Sequence, residues 1–268
     1  MAIVTISRGP FSGGAILAEC VSAALGYRCL ARRAIVEKAA TYGTSEHEIR
    51  AVLERAPGLW ERGRHAKYVY LTLVQAALID EMRRGRAVYY GNGGNLLLAG
   101  VSHVLRACVI APLDFRVAQV TERLGMSRDA AVAHIQKVDS EVRRWVQYLY
   151  GADLMDPGLY DLVLNLDSFS IGQACDVIAG VAQERGFAET AESRAAMEDL
   201  ALASRVRARL AVSAPTSDLE VEIVSRRGSV SIGGTLLSRE QLERARAVAL
   251  TVPGVTGVDA GVKGRVAV

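Results

Sequence analysis

Apolar positions along the chain follow two rhythms, one on each side of residue 190 or so. In the longer N-terminal part, short runs rich in β-branched residues alternate with stretches at helical spacing. AIVTIS (2–7), AVYYGN (87–92) and RACVIA (106–111) read as short buried strands, and YDLVLNL (160–166) as another strand. Helical periodicity fills the intervals at 13–25, 33–41, 45–55, 66–84, 114–125, 128–149 and 170–185. Thr44 or Ser45 in GTSEHEI is placed to cap the 45–55 helix, and Gly85 to end the 66–84 helix. Strands alternating with helices predict an α/β domain: a parallel sheet with helices on both faces.

The second rhythm follows a polar, alanine-rich stretch, GFAETAESRAAME (186–198), which has the composition of a linker. Beyond it a helix is expected at 199–212. LEVEIV (219–224) and SVSIGG (229–234) alternate with period two around a turn at Arg226-Arg227-Gly228. Ser238 caps a further helix to 250, Pro253-Gly254 stops it, and VTGVDAGVKG supplies a last strand. The expected organisation is a domain at 1–187, a linker at 188–198 and a small α+β domain at 199–268.

Composition narrows the classes. With 50% hydrophobic and 23% charged residues the chain is not disordered. A net charge of +3 suits anionic ligands, but no long Lys/Arg run marks a nucleic-acid surface. The longest apolar region, Val88 to Leu113, is broken by Asn92, Asn95, His103 and Arg106, so no transmembrane segment is expected and a cytoplasmic protein is. Cys20, Cys29, Cys108 and Cys175 form no C-x-x-C pair and are expected as buried free thiols. His47, His65, His103 and His134 are too scattered for a zinc site, so no metal ligands are assigned. Asp153 and Asp156 fit turn and cap positions, and Trp60, Tyr68, Tyr70, Trp145, Tyr148 and Tyr150 fit packing roles; Tyr89 or Tyr90 could touch a base.

Chemistry concentrates in RGPFSGGAIL (8–17). Glycine loops hold phosphate because backbone N–H groups converge on anionic oxygens at a helix N-terminus. In the pattern G-x-x-x-x-G-K-[ST], Gly9 and Gly14 take the glycine positions, Ala15 the lysine and Ile16 the hydroxyl residue. The cradle needs only conformation; the charge is gone, and Arg8 could partly replace it. Spacing alone leaves open phosphate binding and a plain strand-to-helix turn. The nucleotide-binding candidates are Arg8, Gly9, Ser12, Gly13, Gly14, Ala15, Ile16 and Asn92.

The region from 1 to about 185 resembles the cytidylate-kinase-like family of P-loop kinases. The resemblance is carried by SGG (12–14), by Ala111-Pro112 with Arg116, by Asp139 and Arg143 in a D-x-x-x-R lid pattern, and by YDLVLN (160–165). It implies phosphoryl transfer from ATP, with Mg²⁺, to a nucleoside monophosphate. It offers Arg116, Arg123, Arg143 and Arg144 as lid arginines closing over the transferred group, with Asp139 orienting one of them. Three positions depart from the family: Ala15 and Asn92 stand for arginines, and Ala31 for an acidic residue. Residues 199–268 resemble a BON domain, through Gly228, VSIGG (230–234) and VPGVTGV (252–258). That resemblance implies a binding module for a macromolecule or an anionic surface, met by Arg205, Arg207, Arg209, Arg226 and Arg227. The resulting expectation is a P-loop kinase-like domain fused to a BON domain. It would bind or sense a nucleotide (ATP, CMP or similar) as a pseudoenzyme. The alternatives are an active cytidylate kinase acting on CMP or dCMP, and a purely structural protein. A homo-oligomer is compatible with each.

Overall fold

The computed structural model describes residues 2–43, 64–234 and 238–260. The helix expected at 45–55, its Thr44 or Ser45 cap, His47 and Trp60 lie outside the described residues. Contacts gather the chain into two compact units that do not follow chain order: residues 1–32 with 84–190, and residues 33–83 with 191–268.

The first unit is built on five parallel strands, β1 (Ile3–Arg8), β2 (Arg28–Ala31), β3 (Ala87–Tyr90), β4 (Val104–Ile110) and β5 (Leu162–Asn165), in the order β2-β3-β1-β4-β5. α1 (Gly14–Leu25) and α7 (Ile171–Ala182) pack together and set Leu17, Val21, Ala174 and Ile178 into one core with Val4, Ile6, Leu105 and Val109 of the central strands. α5 (Leu113–Leu124) and α6 (Arg128–Tyr150) pair after β4, around Val117, Val120, Ala131 and Ile135. The α/β expectation is met. Two elements lacked a pattern. β2 is an edge strand whose residues are exposed or half-buried, so it shows no apolar run. The one-turn helix α4 (Gly94–Leu97) follows Gly93 at φ 94° inside an otherwise apolar stretch.

The free-thiol expectation requires a correction. Cys20 on α1 and Cys175 on α7 form a disulfide with a Cα–Cα separation of 6.0 Å across 155 residues of sequence. The bridge comes from helix packing, which no local spacing announces. Cys29 and Cys108 are free, the first exposed and the second buried.

The second unit joins the insert between β2 and β3 to the C-terminal region. α2 (Arg32–Ala39) runs into a short 3₁₀ turn, and α3 (Arg64–Met82) lies along α8 (Ala191–Val212). Most of the stretch with linker composition is thus the first turns of α8. β6 (Glu222–Arg226) and β7 (Ser229–Gly233) form the expected hairpin, turning on Arg227 at φ 50° and Gly228 at φ 87°. β8 (Gly257–Ala260) pairs parallel with β7, and α9 (Arg239–Ala249), with its Ser238 capping box, contacts β7, β8 and α8. The core here is Leu202, Val206, Leu210, Val221, Ile223, Val230, Ile232 and Leu242. Tyr68 of α3 donates to Val221 O at 3.3 Å. Arg207 is half-buried rather than exposed: it reaches inward to Gln75 Oε1 at 3.0 Å and Ile223 O at 3.3 Å.

Candidate functional site

β1 leads the chain to one side of the sheet and β4 leads it to the other, so the crevice of this topology opens between their C-terminal ends. The glycine loop occupies that position. Gly9 N–H donates to Val109 O at 3.4 Å, and the Ser12 hydroxyl folds back onto Gly9 O at 2.7 Å, which draws residues 9–12 into a tight turn in which Ser12 is buried and the other three are half-buried. Phe11 adopts φ 61°, costly for a residue with a side chain, and its ring is 5.4 Å from that of His134. It packs on the α5–α6 cluster, so the turn is fixed partly by the helices above it.

α1 begins without a side-chain cap because its N-cap residue is Gly13, at φ 75°. The first-turn N–H groups of Gly14, Ala15 and Ile16 have no acceptor within the helix. They are the group of donors an anion requires, at the positive end of the helix dipole. A Cβ at Gly13 would stand 3.3 Å from Ile171 Cδ1 besides requiring the unfavourable φ, so glycine is demanded there.

Beside the loop lies a cleft of about 190 Å³. The sequence candidates Gly9, Ser12, Asn92, Arg116, Asp139 and Arg143 line it. Gly13, Gly14, Ala15 and Ile16 form the helix head rather than the cleft wall, and Ile16 is 44% exposed. Arg8 ends β1, and its side chain is outside the description. Arg123 is exposed in the last turn of α5 and is not part of the lining; Arg144 bonds its own helix at Ser140 O. Arg116 is the central cation. Its Nε donates to Pro10 O at 2.9 Å, and its two terminal nitrogens donate to both Asp139 oxygens at 2.9 and 2.5 Å. Arg143, one turn beyond Asp139, has no carboxylate partner among the described residues.

Sequence reasoning missed the floor of the cleft. Cys108 and Ile110 rise from β4, and Tyr160 and the 153–155 loop close the side. Tyr160 donates to Leu154 O at 3.1 Å; behind it, Ser7 donates to Asn95 Oδ1 at 3.3 Å and Asn95 Nδ2 to Leu159 O at 3.4 Å. These groups come together only by strand pairing and carry no spacing signature. Asp153 and Asp156 accept from Met155 N and Gly158 N, as turn and cap residues do. Tyr89 is buried beneath Gly94, and neither Tyr89 nor Tyr90 lines the cleft. Burial pushes the Cys108 thiol up to about 11 against an opposing hydrogen bond from Tyr160. With little thiolate at pH 8, Cys108 is expected to resist iodoacetamide while the exposed Cys29 is modified first; mass mapping of the labelled peptides checks the order.

The donors for Mg²⁺ do not match what the family resemblance implies. Position 16 is Ile, without a hydroxyl, Asp139 is engaged by Arg116, and no group of three His, Cys, Asp or Glu residues among those described could hold a metal. The α1 head offers backbone donors to an anion, whereas the described residues offer no matching donor set to a metal.

A parallel sheet, a glycine turn feeding an uncapped helix at its crevice, and an arginine-bearing helix pair beside that turn define a P-loop kinase-like α/β protein. Residues 3–168 match the cytidylate kinase-like family, and the chain belongs to it. Residues 198–265 match the BON domain. A cytidylate kinase from Ignicoccus hospitalis is 27% identical over 168 residues, covering 62% of this chain and 90% of that one. One from Sulfolobus acidocaldarius is 36% identical over 72 residues, covering 26% of this chain and 39% of that one. In fold alone, an uncharacterized protein from Eubacterium ventriosum superposes with a TM-score of 0.52 at 16% identity, over 69% of this chain and all of that one.

Proposed function

We propose that the kinase-like unit binds a nucleotide through its phosphates at the head of α1 and transfers phosphoryl groups very slowly or not at all, acting as a sensor coupled to the BON domain. The observation that carries this reading is the α1 head. Its backbone donors are present and uncapped, while the side chains at 15 and 16 have neither charge nor hydroxyl. Neutral residues at 15, 31 and 92 remove charge where the family resemblance places it. One such loss in a water-poor site costs about 3 kcal/mol of transition-state stabilisation, and three leave little rate above background. Ground-state binding by amides tolerates the same losses.

Coupling is supported by chain connectivity. The insert of the second unit leaves the first directly after β2 and returns at Arg84, three residues upstream of a strand that ends beside Asn92. On the BON side, Arg209, Arg226 and Arg227 are exposed for a macromolecule or an anionic surface, and Arg205 is half-exposed. No helix among the described residues is long and apolar enough to cross a membrane. A cytoplasmic location and self-association belong to this proposal.

An active cytidylate kinase using Mg-ATP and CMP or dCMP is the second reading. Arg116 and Arg143 in the cleft wall favour it. Calorimetric titration with ATP, ADP, AMP and CMP, with and without Mg²⁺, tests the first reading: binding below millimolar and insensitive to Mg²⁺ is expected, and no binding at all removes it. Turnover of CMP in a coupled assay, at rates usual for a kinase, replaces it with the second. Ala15→Lys is expected to tighten ATP binding about tenfold by returning a cation to the cradle. An unchanged affinity would show that the helix head holds no phosphate.

A further inference from the structure

Arg116 is the cation best placed for a phosphate, and the folded chain already engages it. Its side chain is 13% exposed, fixed by Pro10 O on one nitrogen and by both Asp139 oxygens on the other two. A guanidinium fork meets carboxylate and phosphate oxygens in the same planar, two-bond geometry. The Asp139 carboxylate therefore stands where two oxygens of a phosphoryl group would stand, in the wall of the cleft beside the glycine loop. Asp139 lies in the middle of α6, where neither cap nor dipole calls for an acid, and its side chain is 30% exposed, with room to turn towards water.

Resting on the nucleotide reading above, we propose that Asp139 is a built-in competitor for the ligand. It fills the anion seat on Arg116 and so sets the concentration at which a phosphate-bearing molecule enters the cleft. An arriving phosphate takes the two terminal nitrogens, Asp139 turns to solvent, and the Nε bond to Pro10 O keeps the guanidinium in place. The same exchange loosens one of the two ion pairs described between α5 and α6, leaving the exposed Arg128–Asp114 pair at the start of α6, and so ties occupancy to the freedom of the middle of α6.

Asp139→Asn keeps the shape of the side chain and removes its charge. With inorganic pyrophosphate as the probe, calorimetry is expected to show a dissociation constant at least about tenfold lower than that of the wild-type chain, falling off more steeply with salt. Asp139→Ala should move the same way, and Asp139→Asn combined with Arg116→Gln should abolish the improvement. A residue that only positioned Arg116 would give the opposite sign: weaker pyrophosphate binding on its removal, with an unchanged melt, overturns the proposal. In the wild-type protein the Arg116 Nε–H resonance should shift on pyrophosphate addition, and a stationary resonance at saturation also overturns it. Failure of the wild-type chain to bind ATP removes the nucleotide reading; failure of Asp139→Asn to improve on wild type removes only this proposal.

Discussion

A chain ended after Thr190 is expected to aggregate or to remain a loose, protease-sensitive globule, although it keeps every residue of the cytidylate kinase-like match. α3 supplies the reason. Tyr70, Leu73, Val74, Ala77, Leu78, Ile79 and Met82 are each at most 2% exposed, and the helix lies along α8, which the truncation removes. Tyr68 would also lose Val221, and Gln75 would lose Arg207. Uncovering even half of those apolar side chains costs about 5–10 kcal/mol at about 1.5–3 kcal/mol each, comparable to the whole stability of a typical domain. Gel filtration and limited proteolysis of the 1–190 chain decide it. A monodisperse product with a sharp thermal transition would mean that α3 finds its cover elsewhere.

Reduction of the Cys20–Cys175 bridge should have the other large effect. Closing a loop of 155 residues limits the unfolded chain by about 5 kcal/mol in the chain-entropy description. The urea midpoint of the first unit is expected to fall markedly in dithiothreitol and in Cys20→Ser with Cys175→Ser. The double variant should then be indifferent to reductant. Equal midpoints with and without reductant in the wild-type protein would show that the two thiols are not joined.

The sheet was legible where its strands are buried on both faces. AIVTIS announces itself because residues 2–7 are all buried, and RACVIA because its centre, Ala107 to Val109, is buried although Arg106 reaches water. β2 did not, since Arg28 and Cys29 at the sheet edge are exposed and its pairing with β3 depends on tertiary contact alone. The BON-type hairpin was legible from alternation and from Arg226-Arg227-Gly228. The alanine-rich start of α8 was misleading: Ala, Glu, Ser and Arg suit a solvated linker and the exposed face of a helix equally, and Met197 and Ala201 are covered by neighbours distant in sequence. Around the cleft, Gly9, Ser12, Asp139 and Arg143, singled out by motif or resemblance, stand together, while Gly13 and Gly14 lie at the helix head. Cys108 and Tyr160 were not singled out, because a strand residue and a loop residue meet in a cleft without any fixed spacing. The partnership of Arg116 with Asp139, 23 residues apart on two helices, was likewise outside what periodicity can show.

The interleaving of the two units has a consequence for how the protein is made. Residues 33–83 leave the ribosome early, but the helix against which α3 rests is translated roughly a hundred residues later. During that interval an oily helix waits without its mate while the parallel sheet assembles around the gap in the chain. Maturation is thereby ordered, the second unit closing last, and a nascent chain stalled before α8 is a natural client for a holding chaperone.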